Sequence, residues 1–262
     1  MLSLFMGFAA MSGFGLWFSK VKRSFLGLPL WLSVLALVFT TLLCKSVGAL
    51  ILMFVGVVSL LVSKYLRTSA PVVLLACAAI AYIAFRGSGL WSGMELVDMA
   101  SIFGPEREAS LRVRIVNETA LAERARERLL LGWGGWGDSR IVDEHGRDIS
   151  ITDGFWIITF GTRGVLGLIA FVGTILGPVL LLIFRIPGKC WAHPAVAPAV
   201  VGALILCLWL VDSIANAQYT PIYILTAGGI AGLKGVKVIR AQKVRVRAKK
   251  LEASAVSAAD KV

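Results

Sequence analysis

Histidine occurs only twice in the 262-residue chain, and the four cysteines, Cys44, Cys77, Cys190 and Cys207, form no CxxC pair. That leaves no zinc or redox spacing and no disulfide framework; in apolar runs free cysteine is a small filler. Charged residues are scarce at 16%. Lysine is missing altogether from residues 86–153, which nevertheless hold nine arginines and twelve of the fifteen acids. Asp138, Asp143, Glu144, His145 and Asp148 crowd the stretch "DSRIVDEHGRD" but follow no calcium-loop or zinc spacing, so no metal is expected. His193, just before Pro194, reads as structural. The apolar start, residues 1–18, lacks the basic beginning and small-residue cleavage site of a signal peptide and runs straight into "KVKR". It reads as the end of a membrane span. The chain is therefore expected to be the C-terminal part of a longer protein, or half of a pair completed by an N-terminal partner chain.

Apolar residues are what the chain has in abundance: 58% of the total, with a mean hydropathy of +0.83, far more than one soluble core consumes. Runs near the length that crosses about 30 Å of hydrocarbon occur at 28–43, 47–62, 70–85, 164–184 and 195–211, with a shorter sixth at 219–233. Lys20, Lys22 and Arg23, then Lys64 and Arg67, then Arg185 and Lys189, and finally the tail "KGVKVIRAQKVRVRAKK" all fall on one side of these runs; only Lys45 falls on the other. Short basic loops stay in the cytoplasm, which predicts a cytoplasmic C-terminus and residues 86–153 outside. Four parts result: N-terminal transmembrane helices (1–85), an extracytoplasmic loop (86–153), C-terminal transmembrane helices (154–233) and a basic cytoplasmic tail (234–262). The net charge of +12 resides in the cytoplasmic loops and tail. Such a juxtamembrane run is read as contacting anionic lipid headgroups, and no nucleic-acid partner is expected.

Residues 86–153 are too many for a connector. Pro105 with Glu106 and Glu108 makes a helix start, Gly132 a helix stop, and Glu108 and Arg112 have the favourable i,i+4 order. Positions seven apart drift by only about 20° around a helix, so Arg107, Arg114 and Arg128 share a stripe. A solvated face paired with Glu118, Glu123 and Glu127 is one reading. The missing lysine favours another, because the planar guanidinium fork matches phosphate oxygens. "GWGGWG", residues 132–137, fits GxGxxG, yet a helix precedes it and a hairpin turning at His145 and Gly146 follows, which rejects a dinucleotide site. Its glycines predict a sharp turn. Trp133 and Trp136 are placed at the membrane surface, as anchors or as faces that stack on sugar rings. Arg163 lies at the mouth of a span, where a charge is costly without a task or partner unless it snorkels. Asp212, Ser213, Asn216 and Gln218 form a polar cluster near the outer end of the fifth run, and Gly228 with Gly232 makes a GxxxG face for helix packing.

The succession "SLRVRIVNETAL", "RERLLLGWGGWG", a polar hairpin and "TDGFWIITFGTRGVLGLIAF", with Gly161, Gly164 and Gly167 three apart, resembles the O-antigen ligase and O-antigen polymerase family over residues 105–182. The resemblance implies an all-α membrane protein: a polytopic helical bundle of about six spans with one structured periplasmic loop and the type-C glycosyltransferase architecture. It further implies a multi-pass protein of the bacterial inner membrane. Such a protein would move a glycan from undecaprenyl pyrophosphate to an acceptor in cell-surface polysaccharide (lipopolysaccharide) synthesis, with no metal or cofactor. Arg114, with Arg112 beside it, would occupy the family's arginine position. From the sequence alone, Arg107, Arg128, Arg140 and Arg163 are added as further pyrophosphate candidates, and Trp133 and Trp136 as the glycan set. The family's histidine before the next span is replaced by Thr152, Asp153 and Gly154. The general base is then Asp153, which alternatively caps a helix, or His145, which alternatively is only a turn residue. A non-catalytic subunit that binds lipid-linked glycan and needs a partner chain is the second reading, and a small transporter or flippase component the third.

Overall fold

The computed structural model describes residues 2–135 and 137–233; the expectations for Trp136 and for the basic tail lie outside them. The described chain is mostly helical, with almost no sheet. A two-stranded antiparallel hairpin, β1 (Ser24–Phe25) and β2 (Leu28–Pro29), separates α1 (Leu2–Phe18) from α2 (Leu30–Leu43), and α3 (Val47–Tyr65) and α4 (Ala70–Ser88) follow. After α5 (Met94–Ala100) and α6 (Pro105–Arg126) come α7 (Phe155–Arg185), α8 (Ala197–Ala215) and α9 (Pro221–Ala231). Among the described residues α3, α4, α7 and α8 are long and apolar enough to cross a membrane, by length and composition. Two of the six expected spans are shorter apolar helices: α2 has 14 residues and α9 has 11, about 21 and 17 Å at 1.5 Å per residue.

Contacts between helix ends establish an alternating up-and-down order. Lys64, near the end of α3, donates to Phe18 O at the end of α1 at 2.9 Å and lies 3.4 Å over the Phe18 ring. Gly188, after α7, packs on the Thr68–Ser69 backbone, and Arg185 donates to Ala231 O at the end of α9 and to Leu233 O just beyond it. Lys20, Lys64, Arg67, Arg185 and Lys189 therefore collect at one end of the bundle. Arg114 of α6 reaches Ala215 O at the opposite end, where α5, α6 and the 141–149 hairpin form a polar cap.

The core is centred on α8, whose residues 206–210 are fully buried, as a helix apolar on all sides requires. Trp209 stacks on Tyr223 of α9 at 4.4 Å, and Met11 of α1 crosses Gly56 of α3 close to Leu208. Phe39, Phe54, Leu74, Ile169 and Phe184 point outward and are mostly exposed, the surface that helices present to hydrocarbon. The GxxxG expectation is not met at Gly228, where a Cβ would meet nothing within 4 Å; α8 and α9 approach instead at Gly202, where a Cβ would lie 3.1 Å from Thr226 and 3.3 Å from Ile230.

Candidate functional site

The "LLLGWGG" stretch finds its explanation in α7. That helix starts at Phe155, well before the apolar run at 164, and breaks at Gly164, where φ is 65° and ψ is −166°. α6 ends at Arg126 and the chain turns through 131, so the helix expected to reach Gly132 stops early. Residues 129–134 enter the break. Trp133 N and Gly134 N donate to Gly161 O and Thr162 O, both at 2.9 Å, while Val165 N and Leu166 N donate to Leu129 O and Leu130 O at 2.8 and 3.3 Å. Backbone groups freed by the break thus find partners, which a break at membrane depth demands. A Cβ on Gly132 (φ 72°) would lie 2.6 Å from the Arg163 and Gly164 nitrogens, and one on Gly164 would strike the Leu130 carbonyl.

Beneath the cap sits a polar node that the sequence reading did not single out. Arg86, in the last turn of α4 and 3% exposed, directs Nε to Glu118 at 2.6 Å, Nη1 to Trp91 O and Ser92 O, and Nη2 to Ile115 O and Thr119 Oγ1. All five of its donors are engaged. Glu118 accepts further bonds from Tyr82 Oη (2.9 Å) and Trp156 Nε1 (3.2 Å). One carboxylate therefore ties α4, α6 and α7 together.

Beside this node a cavity of about 170 Å³ is lined by Tyr82, Glu118, Arg114, Asp153, Ile157 and Ala215, among others. Arg114 Nε is 3.3 Å from Asp153 Oδ2, with both side chains roughly half exposed. The capping expectation for Asp153 is corrected: Gly154 occupies the position before α7 and no side-chain cap bond forms, because the carboxylate turns to Arg114. Chemically the pair offers a cation for a phosphate and a carboxylate able to take a proton, at the rim of a small cavity at the polar end of the bundle.

The remaining expected residues are dispersed rather than gathered there. Arg112 pairs with Glu108 at 2.7 Å, in the expected i,i+4 geometry, and Arg107 is exposed one turn earlier. Arg128 and Arg124 lie 4.2 and 3.4 Å from the Trp133 ring centroid, and Trp133 Nε1 donates to Arg124 O at 2.8 Å. Guanidiniums thus cover the ring expected to meet a sugar. Arg163 is exposed beside the α7 break. Arg140 pairs with Asp148 and donates to Thr152 Oγ1 at 3.2 Å. His145 is at the exposed tip of the hairpin closed by the Val142 and Asp148 bridge, its backbone N–H on Asp143 Oδ1. In the fifth run, Asn216 donates to Asp212 Oδ1 at 2.8 Å while Oδ2 is buried without a partner among the described residues. His193 accepts from Ala195 N at 3.2 Å, a local structural role. The described residues contain no metal-binding group of His, Cys, Asp and Glu.

Hairpin electrostatics set a pH window. Arg140 first, then Ser150, hold the Asp148 carboxyl down at about 2; hydrogen bonds led by the Arg147 backbone N–H also lower Asp143. A carboxyl lower when folded stabilises above its unfolded value of about 3.9 and loses that contribution as pH falls through the folded value. The hairpin is therefore expected to keep the protection of the Ile149 amide, bonded to Ile141 O at 3.0 Å, from pH 7 to about 4, and to lose it between about 4 and 2. Hydrogen exchange measures this; protection already lost at pH 5 would contradict it.

No family model, curated protein or solved structure matches the chain.

Proposed function

We propose that the chain is a membrane glycosyltransferase of the O-antigen ligase or polymerase kind, transferring a glycan from a polyprenyl pyrophosphate carrier at the outer face of the inner membrane. The observation that supports this reading is the Arg114 and Asp153 pair, 3.3 Å apart on the rim of a cavity, at the bundle end remote from the Lys and Arg clusters. In this reading the clustered end is cytoplasmic. The acceptor oxygen attacks the anomeric carbon, its proton passes to the Asp153 carboxylate, and the bond from that carbon to the pyrophosphate oxygen breaks. The electron pair leaves with the pyrophosphate, whose growing charge Arg114 neutralises in place of a metal ion.

Losing one such charge-stabilising donor costs about 100-fold or more in rate. Cells carrying Arg114→Ala as their only copy are expected to accumulate unattached undecaprenyl-linked glycan at unchanged protein level. Normal attachment in those cells would overturn the proposal. A second reading, a non-catalytic subunit completed by a partner chain, is favoured by the engagement of Arg112 and Arg140 with carboxylates and of Trp133 with guanidiniums. Transfer by the purified chain alone would eliminate it.

A further inference from the structure

The cavity beside Arg114 and Asp153 is polar on one side only. Its volume of about 170 Å³ falls below the ~300 Å³ at which pockets for drug-sized ligands begin, so it takes one sugar ring and not a chain of them. Most of its wall is aliphatic, with Leu96, Leu111, Ile115, Ile151, Ile157 and Ile214. The polar groups open to a ligand stand together, where Arg114 lies 3.3 Å from Asp153 Oδ2 and 3.5 Å from Ala215 O. The others are engaged: Tyr82 donates its hydroxyl proton to Glu118, and Glu118 already accepts from Arg86, Tyr82 and Trp156.

Space for a single ring suits a chain end. In the proposed transfer the donor's reacting sugar carries pyrophosphate on one side and the rest of its glycan on the other, so it passes along the rim. When a chain is extended, the acceptor sugar is a terminus, attached on one side only, and can enter the cavity with its nucleophilic hydroxyl at Asp153. A hydroxyl pressed against the aliphatic wall would lose its water without gaining a partner, whereas a methyl group gains by burial there. A carboxylate would meet two like charges, Glu118 and Asp153, while the guanidinium of Arg114 serves the pyrophosphate. We infer that the cavity receives the terminal sugar of the acceptor chain and that this sugar is a neutral 6-deoxyhexose, its methyl group on the aliphatic wall. This rests on the reading of Arg114 and Asp153 as the transfer centre and names the acceptor class that the centre selects.

The test offers the purified full chain a polyprenyl pyrophosphate glycan as donor, with acceptor oligosaccharides that differ only at the terminal sugar. These end in a 6-deoxyhexose, the hexose of the same stereochemistry or the corresponding uronic acid, in the manno, gluco and galacto series. In the series used best, the 6-deoxyhexose is expected to exceed the hexose about 10- to 100-fold in kcat/KM, as an apolar pocket rejects an added hydroxyl, with no measurable transfer to the uronic acid. Leu111→Gln, at a half-buried position, brings an amide to the wall and should erase most of that preference while leaving the donor KM unchanged. Ile151→Asn, at the 49% exposed edge, should act in the same direction. A hexose used as well as its 6-deoxy counterpart by the wild type, or a preference untouched in both variants, would overturn the inference. Binding of the methyl glycosides of the same sugars, followed by saturation-transfer NMR, separates the two claims. A chain that transfers nothing yet binds the 6-deoxyhexoside in preference to the hexoside loses the transfer reading and keeps the cavity assignment. One that transfers nothing and shows no preference in binding loses both.

Discussion

Glu118→Ala is expected to detach the cap from the bundle and to destabilise the protein by roughly 3–5 kcal/mol, the cost of stranding one member of a buried ion pair. Arg86 would keep its burial and its carbonyl acceptors but lose its counter-charge, and Tyr82 and Trp156 would lose the oxygens that they now share. Arg86→Met alone should cost a similar amount. The pair Arg86→Met with Glu118→Leu should recover much of the loss, because apolar replacement of a whole buried ion pair is often nearly neutral. Thermal unfolding in detergent of the two single variants and the double variant measures the coupling. A loss below about 1 kcal/mol for Glu118→Ala would place the pair with exposed salt bridges and contradict its role as the tie between α4, α6 and α7.

The second large effect is expected at Gly164. An alanine there must hold a positive φ, which costs about 1–3 kcal/mol, and its Cβ would collide with the Leu130 carbonyl and come within 2.7 Å of Gly132 N. The 129–134 segment would have to leave the break, taking four backbone hydrogen bonds with it. A total loss of about 3 kcal/mol or more follows. Gly173→Ala, in the same helix with open space at its Cβ, is the control and should change stability by less than about 0.5 kcal/mol. Equal stability of the two variants would mean that α7 is not held open by the inserted segment.

Much of this architecture is legible in residue order. The apolar runs locate the helices of spanning length, and the basic residues Lys20, Lys64, Arg67, Arg185 and Lys189 gather at one end of the bundle. Pro105 begins α6, Glu108 and Arg112 pair as their spacing predicts, and Gly146 turns the hairpin. What was not legible depends on partners distant in sequence. Arg86 and Glu118 are 32 residues apart and each looks like an ordinary boundary or surface charge. "FGTRGVLG" is compatible with an unbroken helix; only the arrival of Leu129 to Gly134 makes Gly164 a break. Asp153 sits where a cap would, but Arg114, far upstream, claims its carboxylate. Arg107 and Arg114 do lie on α6, but that helix ends at Arg126, so Arg128 falls in the turn beyond it and the expected three-residue stripe is not completed.

The account turns on Arg114 and Asp153 acting together on a glycan carrier. The most direct measurement is transfer from a synthetic polyprenyl pyrophosphate glycan by purified wild type, Arg114→Ala, Asp153→Asn and the double variant, each verified as folded. If the two side chains form one catalytic unit, each single variant should lose about 100-fold or more in kcat, and the double variant should lose little beyond that. Transfer at the wild-type rate by Asp153→Asn would contradict the account.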